Sequence, residues 1–538
     1  MPPGTPAAIR YRRRSPAGLF LTGVLVVAFT TTPLVYIGLR ALGAGLPVWE
    51  RLARTELATL FGNTFQLTLW VTAAAAALGT TLALLVERTD LPGRAYWRWL
   101  LAVPLAVPPF ISAVVYVGLL RPVGGALPRI FSTFPFPTPF GLGGAAFVLS
   151  LVTYPYIYLL AAAALRSLPA AYEETARAAG KSTRQLVSHV WLPFLRPAVA
   201  AGALLVALDC LAEYGAVAFL RYPTFSAAIF RELSGRYDRS AASILSCVLV
   251  LFAFGLVALE SQWLGRARGH TMGSTWKPAR LLSLGGWTPL ALVLTAMVLI
   301  LGAGIPVATL GAWIVESGGA GAPLAQLARP AAQSLFSASV AAALAVTLAL
   351  PVAYLISRYP SRWTQWLVQL SQVGYALPGV VVALSLILAV NQLVPFLYGS
   401  WLVVALAYLL RYFPQAIRGT LAALGKVPPG MEEAARGLGR RPVRAFWEVA
   451  VPTMLPGLGA SGALVLLSSL KELPATLLLR PAGFSTLAVE VWQHASEGMY
   501  GQSAAPGLIL VATSMASLAF FLRTPTEPRG ARTPGADS

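Results

Sequence analysis

Charge is scarce in this sequence. Only 11% of its 538 residues are charged, against roughly 25% in an ordinary soluble domain. Apolar residues make up 57% of the chain, and its mean hydropathy is +0.69. Because a water-soluble fold cannot bury so large an apolar fraction, the composition excludes an ordinary soluble enzyme. It predicts an integral membrane protein.

Cysteine and histidine are also scarce, with two and three residues. Cys210 and Cys247 lie in or beside apolar runs, which favours small core residues over a disulfide or a metal site. The histidines, His189, His270 and His494, are far apart in sequence and near the ends of apolar runs. We therefore predict no catalytic residue and no metal site in this chain.

Acidic residues are outnumbered two to one, with 20 Asp and Glu against 40 Lys and Arg. The excess would suit nucleic acid, but the arginines sit in short loops between apolar runs, where they act as topology signals. The pattern predicts no nucleic-acid partner, a multi-pass membrane protein, and both termini in the cytoplasm. One loop on the predicted outer side contradicts the bias, because it holds Arg221, Arg231, Arg236 and Arg239.

About twelve apolar runs approach the roughly 20 residues that cross a bilayer as a helix. Helices are expected because lipid offers no hydrogen-bond partner to a free backbone. The spans are predicted at 19–39, 64–86, 99–120, 142–165, 195–216, 241–262, 286–310, 331–356, 366–391, 399–421, 453–472 and 503–522. The predicted organisation is a cytoplasmic tail at 1–17, a first half at 18–264, a cytoplasmic linker at 265–284, a second half at 285–522 and a disordered tail at 523–538.

The two halves are copies of each other. A polar loop recurs after 259 residues with the same spacing of Glu, Ala, Gly and Pro, which are Glu174, Ala176, Gly180 and Pro193, then Glu433, Ala435, Gly439 and Pro452. At the same offset Glu173 meets Glu432, and Glu213 meets Glu472. Upstream the offset is 270, where Arg88 meets Arg358. Such an internal repeat predicts an all-α protein of two homologous six-helix halves. Six crossings per half place both loops on the cytoplasmic side.

Each repeated loop is rich in Ala, Glu and Arg and ends at a glycine suited to cap a helix. The predicted structure is a short helix, a glycine turn and a second short helical piece that enters the next span at a proline. A single loop of this kind is as easily an interfacial helix that merely connects two spans. Two copies with the same spacing favour a rigid knob that transmits a push from a partner.

The spacing Glu-x-Ala-xxx-Gly, followed by an aliphatic residue and Pro, resembles the signature loop of permease subunits in binding-protein-dependent ABC importers. The resemblance covers both halves, and Thr175 stands where many members have Ala. It implies the type I importer fold and two coupling helices that dock onto two copies of an ATPase subunit. It also implies a place in the bacterial cytoplasmic (inner) membrane, ATP and magnesium bound to the ATPase, and an extracytoplasmic binding protein that delivers the substrate.

The finer resemblance is to fused iron(III) permeases. It rests on Glu213-Tyr-Gly-Ala-Val217 with Pro223-Thr-Phe-Ser226 in the first half, and on Lys471-Glu-Leu-Pro-Ala-Thr476 in the second. The implied substrate is iron(III). Permeases for thiamine, sulfate, polyamines and phosphonate share much of this pattern and stay open as alternatives.

Five ionisable residues lie within or at the ends of predicted spans, namely Asp209, Glu213, Arg411, Lys471 and Glu472. A charge at bilayer depth is unfavourable by a few kcal/mol and usually faces a partner or a cavity. We predict that they line the translocation pathway, with the two glutamates on opposite sides of it. The alternative is that the glutamates reach to the outer interface from span ends. Arg411 is deeper, which favours a buried pair or a pathway role.

Other functions explain the sequence less well. Gly180-Lys-Ser182 has the end of a phosphate-binding loop, but Thr175 replaces the first glycine and the preceding segment favours helix. An ion- or proton-driven secondary carrier also often has about twelve spans in two halves. A secondary carrier, a channel or a membrane scaffold would not explain the two matched cytoplasmic loops.

Overall fold

The computed structural model describes residues 16–120, 139–264, 281–317, 324–371, 374 and 377–523. Almost all of the predicted tails and most of the predicted linker lie outside these ranges. Within them the chain is helical and forms no strand; its one β-bridge joins Thr89 to Leu282. The prediction of an all-α membrane protein is confirmed.

Apart from short 3-10 turns, the described part of each half contains ten helices in the same order, so that a helix and its repeat differ by ten in number. The first half has α1 Ala17–Leu42, α2 Leu46–Arg88, α3 Arg94–Leu100, α4 Pro109–Leu120, α5 Leu142–Ser167, α6 Ala170–Ala178, α7 Thr183–Ala212, α8 Gly215–Phe219, α9 Phe225–Ser234 and α10 Arg239–Leu264. The second half has α11 Gly285–Glu316, α12 Leu324–Arg358, α13 Arg362–Ser371, α14 Gly379–Leu393, α15 Trp401–Gly425, α16 Pro429–Gly437, α17 Pro442–Leu470, α18 Pro474–Leu479, α19 Leu487–Ser496 and α20 Tyr500–Arg523.

Nine of the described helices are long and apolar enough to cross a membrane, and a tenth crossing is a pair bent by 84°. That pair, 94–106 with α4, is the predicted span 99–120, and Pro108 stands at its break because proline disrupts a helix. The predicted span 366–391 is likewise divided, into α13 and α14, with Pro378 directly before α14. The predicted span 399–421 is the continuous helix α15, which carries Arg411 and Arg418.

A three-helix bundle forms the centre of each half, from α2, α5 and α7 in the first and α12, α15 and α17 in the second. Glycine permits the close approach in the first bundle. A Cβ on Gly79 would lie 2.9 Å from the backbone nitrogen of Tyr158, and a Cβ on Gly202 would lie 2.8 Å from Cα of Ile157. Small residues at helix contacts are the usual means of tight packing in lipid, where no hydrophobic force drives helices together.

The first helix of each half packs on the other half. Helix α1 contacts α12, α13 and α14, and α11 contacts α4 and α5. Val26 and Ile37 of α1 share one buried cluster with Val380 and Leu384 of α14. The contact from α11 is equally close, because a Cβ on Gly118 would overlap the Trp313 ring. The halves are therefore interlocked.

Both repeated loops lie on the same side of the bundle, which we call the loop side. The chain enters the second half beside the end of α2, where the Leu282 backbone N–H donates to the Arg88 carbonyl at 2.9 Å. From there α11 leads away and α12 leads back, ending at Arg358 beside the second loop. Two crossings thus separate the ends of α2 and α12, as the repeat predicted.

Candidate functional site

Both repeated loops fold as predicted, as a nine-residue helix closed by a glycine turn. Gly180 and Gly439 have φ of 73° and 85°, a conformation that disfavours any other residue. The residue after each glycine donates its backbone N–H back into the helix: Lys181 to the Ala176 carbonyl at 3.0 Å, and Arg440 to the Ala435 carbonyl at 3.1 Å. This is the Schellman arrangement, and it fixes the direction in which the chain leaves each helix.

In the first half a buried ion pair holds the loop to the bundle. Nε of Arg88, the last residue of α2, lies 3.1 Å from Oε1 of Glu173 in α6, and both side chains are buried. The Trp191 indole N–H donates to the same carboxylate oxygen at 3.1 Å, and the guanidinium donates to the Leu165 carbonyl at 2.6 Å. Charge-assisted hydrogen bonds of this kind are among the stronger ones in proteins.

The second half contains the equivalent ion pair. Nη2 of Arg358, the last residue of α12, lies 2.6 Å from Oε1 of Glu432 in α16. The guanidinium also donates to the Val427 carbonyl at 2.9 Å, and the Tyr354 hydroxyl donates to the other carboxylate oxygen at 2.7 Å. We call the two ion pairs the loop clamps. We did not predict the loop clamps from the sequence, although both partners are matched positions of the repeat.

The predicted coupling residues divide by exposure. Glu174 and Glu433 point outward from α6 and α16, whereas Ala435 is buried and Ala176 half-buried against the bundle. A small side chain is needed at those two positions because the helix lies close to the spans. Thr175 is exposed, so its departure from alanine has no packing consequence.

The proline of each loop also lies where it was predicted, at the re-entry into the bundle. Pro193 and Pro452 each occupy the first turn after a single π-helical turn, within the continuous helices α7 and α17. Proline has no backbone N–H to donate, and both prolines directly follow a turn in which the regular helical hydrogen-bond pattern is already interrupted. The loop therefore continues into a span without a flexible break.

Apolar side chains are exposed around the outward-facing glutamates. Tyr172 lies beside Glu174 in sequence, and Met431, Leu438 and Val443 surround Glu433. Leu438 is 86% exposed at the tip of its loop. Grouped apolar side chains rimmed by charge are typical of protein interaction sites.

Gly180-Lys-Ser182 is not a phosphate-binding loop. The glycine closes a helix, and the Ser182 side chain accepts from the Gln185 backbone N–H while Gln185 bonds back to the serine, forming a capping box. The segment therefore begins α7, and it follows a helix where a phosphate loop follows a strand.

The five predicted pathway residues lie around one cavity between the halves. The cavity encloses about 80 Å³. Asp209 and Glu213 reach it from the end of α7, Lys471 and Glu472 from the end of α17, and Arg411 from the middle of α15. The alternative that the glutamates reach outward to the interface is not what the structure shows.

Arg411 forms a buried pair with Glu472, as one of the sequence alternatives predicted. Its Nη1 lies 2.5 Å from the carboxylate, to which the Tyr412 hydroxyl also donates at 2.7 Å. The Glu472 side chain is only 2% exposed. Gly379 faces this pair, and a Cβ there would overlap both charged groups. A side chain at this position would therefore displace the pair from its present place.

The two glutamates have the same local role in each half. Oε1 of Glu213 accepts from the Ala216 backbone N–H at 2.8 Å, and Oε1 of Glu472 accepts from the Ala475 N–H at 3.2 Å. Each therefore caps the short helix that follows its span. The repeat is preserved here in geometry as well as in sequence.

The remaining two charges break the symmetry. Lys471 donates to the Leu105 carbonyl of the first half at 3.0 Å. Asp209 has no hydrogen bond or ion pair within the part of the chain that the structure describes. At the repeat positions stand Ala212 and Ser468, so the cations of the cavity come from the second half and the unpaired carboxylate from the first.

The remaining cysteine and histidine predictions have mixed outcomes. Cys210 is a buried core residue, as predicted, and Cys247 is half-buried; both thiols are free. His270 lies outside the described residues. In the described ranges no group of three or more His, Cys, Asp or Glu is arranged to hold a metal ion.

A family model described as "Binding-protein-dependent transport system inner membrane component" matches the chain twice, at residues 75–264 and 345–524. The chain is 32% identical over 510 residues to the Fe(3+)-transport system permease protein FbpB 2 of Haemophilus influenzae, with 93% of this chain and 96% of the relative covered.

Two further similarities are weaker. The chain is 22% identical to the ferric transport system permease protein FbpB of Actinobacillus pleuropneumoniae, with 78% of this chain and 64% of that relative covered. It is 30% identical over 253 residues to the sulfate transport system permease protein CysW of Escherichia coli K12, with 45% of this chain and 86% of that relative covered.

Proposed function

The chain belongs to the family of binding-protein-dependent transport system inner membrane components, and we propose that it is the fused permease of an ATP-driven importer for iron(III). It is a multi-pass membrane protein and not an enzyme. ATP and magnesium bind to a separate ATPase subunit, two copies of which dock on the loop side. A solute-binding protein delivers the substrate to the opposite side.

The proposed orientation puts the loop side and both termini in the cytoplasm. One contact supports the N-terminal part of this assignment. Gly23, near the start of α1, faces Leu355 near the end of α12, so α1 begins on the loop side. Since the loops are where the ATPase docks, that side is cytoplasmic.

One observation carries the proposed mechanism: a continuous helix joins each loop to the cavity. Helix α7 runs from the first glycine turn to Asp209 and Glu213, and α17 runs from the second turn to Lys471 and Glu472. Each is about 45 Å long at 1.5 Å per residue. When the two ATPase subunits close on ATP, a displacement of the loops moves both walls of the cavity, which exchanges inward-facing and outward-facing arrangements.

Iron(III) is the proposed substrate, supported by the ferric permeases to which the chain is similar and by the cavity. Three carboxylates against two cations favour a cation over sulfate.

Uptake assays test this directly. In a strain that lacks the importer, the complete system should restore uptake of labelled iron(III) but not of sulfate, and only when ATP and the binding protein are present. Uptake in sealed vesicles that follows an ion gradient without ATP would indicate a secondary carrier. Restored sulfate uptake without iron uptake would reject the substrate.

The double variant E174K/E433K tests the docking role. Both side chains are exposed, so the fold should persist. Reversing one charge at each docking site should lower ATPase copurification and iron uptake by about tenfold. E497K, at an exposed site on the opposite side of the bundle, is the matched control and should change neither. Normal uptake and copurification in the double variant would count against docking at these loops.

A further inference from the structure

The first half extends a helix beyond the membrane on the side opposite the loops. Helix α2 has 43 residues and is about 65 Å long at 1.5 Å per residue. A bilayer is about 40–45 Å thick with its headgroups. Arg51 is about 55 Å along the axis from Arg88 at the loop side, so a tilt of about 20° still leaves it outside the headgroups. We call residues 46–57 the outer arm.

Ion pairs fix the outer arm to the turn between α9 and α10. Arg51 pairs with Asp238 at 2.7 Å, and Arg231 pairs with Glu56 at 2.7 Å. Arg236 lies 2.8 Å from Glu232, whose side chain is 1% exposed. The three arginines are 46–57% exposed, whereas their acidic partners are 1–30% exposed, so the exposed face of this assembly is basic.

Two arginines of the same face have weak or no partners. Arg54 is 81% exposed, and its one ion pair, with Glu50, is 3.7 Å long. Arg239 is exposed, and its side chain has no ion pair among the described residues. Exposed arginines with a distant partner or none contribute little to the stability of the fold. They are available to a partner.

An aromatic side chain stands at the tip of the turn. Tyr237 is 79% exposed and has φ of +55°, an uncommon conformation for a bulky residue. Such backbone strain is found mainly where function requires it. Tyrosine and arginine are also the residue types that dominate binding energy at protein interfaces.

The second half does not repeat this surface. The equivalent helices α9 and α19 begin at Phe225 and Leu487, so Arg231 corresponds to Gln493, and Arg236 corresponds to Gly498. At the 270-residue offset Arg51 and Arg54 correspond to Gly321 and Leu324. These arginines of the outer arm and of the α9–α10 turn are therefore present in one half only.

We propose that the outer arm and the α9–α10 turn form a docking surface for an acidic lobe of the solute-binding protein. The inference rests on the proposed function, and it adds that the one-sided charge sets which lobe sits on which half. Complementary charge at such a surface accelerates encounter and excludes wrong orientations. The basic face lies beyond the headgroups, which favours a protein over a lipid as its occupant.

The test uses the complete permease and ATPase complex in nanodiscs and the solute-binding protein of the same importer. R54E and R239E are combined, because neither side chain has a close partner and a glutamate suits the first turn of α10. The association rate should fall about tenfold at low ionic strength, and the loss should shrink near 0.5 M salt, where charges are screened within a few Å. R329E, at an exposed arginine of the second half, is the matched control and should change the rate less than twofold.

Three results would overturn the inference. One is an equal loss in R329E, and another is an unchanged rate in R54E/R239E. The third is a loss that appears only with anionic lipid in the nanodisc, which would assign the surface to headgroups. If the unmodified complex binds no solute-binding protein at all, the proposed function fails, and this inference fails with it. A photo-reactive phenylalanine analogue at position 237 should crosslink to one lobe only, and equal labelling of both would contradict the proposed orientation.

Discussion

Replacing Arg88 with methionine should detach the first repeated loop and abolish transport. Glu173 would then remain buried between the bundle and Trp191 with no cation. Removing one partner of a buried pair is unfavourable by about 3–5 kcal/mol, which corresponds to a shift of more than a hundredfold towards the open loop. Helix α7 joins this loop to the cavity, so a detached loop would no longer transmit a displacement from the ATPase to the cavity.

Hydrogen exchange measures this effect locally. In R88M the amides of 170–180 should exchange much faster than in the unmodified protein, while those of α16 keep their protection because the second clamp is intact. The double variant R88M/E173L removes both charges and should recover most of the protection, since apolar replacements can match a buried pair. Equal exchange in R88M and the unmodified protein would show that the clamp does not hold the loop.

The second large effect is expected at the cavity, from Arg411→Met. Glu472 would lose its cation while it stays buried and bonded to Tyr412 and Ala475. We expect a loss of folded protein, seen as a lower Tm and yield, and iron uptake reduced by more than a hundredfold in what folds. Unchanged Tm and uptake would contradict the assignment.

A second variant separates folding from transport at this pair. R411M/E472Q removes both charges but keeps an acceptor for the Tyr412 hydroxyl and the Ala475 N–H, so its Tm should return close to the original value. Uptake should remain low if the pair belongs to the pathway. If both the Tm and the iron uptake recovered, the pair would have a structural role only.

The sequence was most informative where the repeat constrained it. The loop helices and their glycine turns were found because each half confirms the other, whereas the five cavity residues were found because they are ionisable residues within or at the ends of apolar spans. The loop clamps were missed because neighbouring glutamates differ only in which side of the helix they occupy. Glu173 faces the bundle and Glu174 faces outward, and this depends on how the helix lies against α2.

Pairing across the chain was also beyond the sequence. Arg411 and Glu472 are 61 residues apart, and no local pattern joins them. The division of the predicted span 366–391 was missed for another reason. Its apolar run is continuous, whereas the helix is interrupted close to Pro378, and composition alone does not reveal such breaks.

Helices α1 and α11 each pack on the opposite half, so the two halves form one unit although their outer surfaces differ. In a dimer of two identical chains that packed in this way, the basic surface would occur on both chains. A covalent link guarantees one copy of each half in every particle, whatever the concentration. The two halves can then differ, so that Arg231 and Asp209 of the first half correspond to Gln493 and Ser468 of the second.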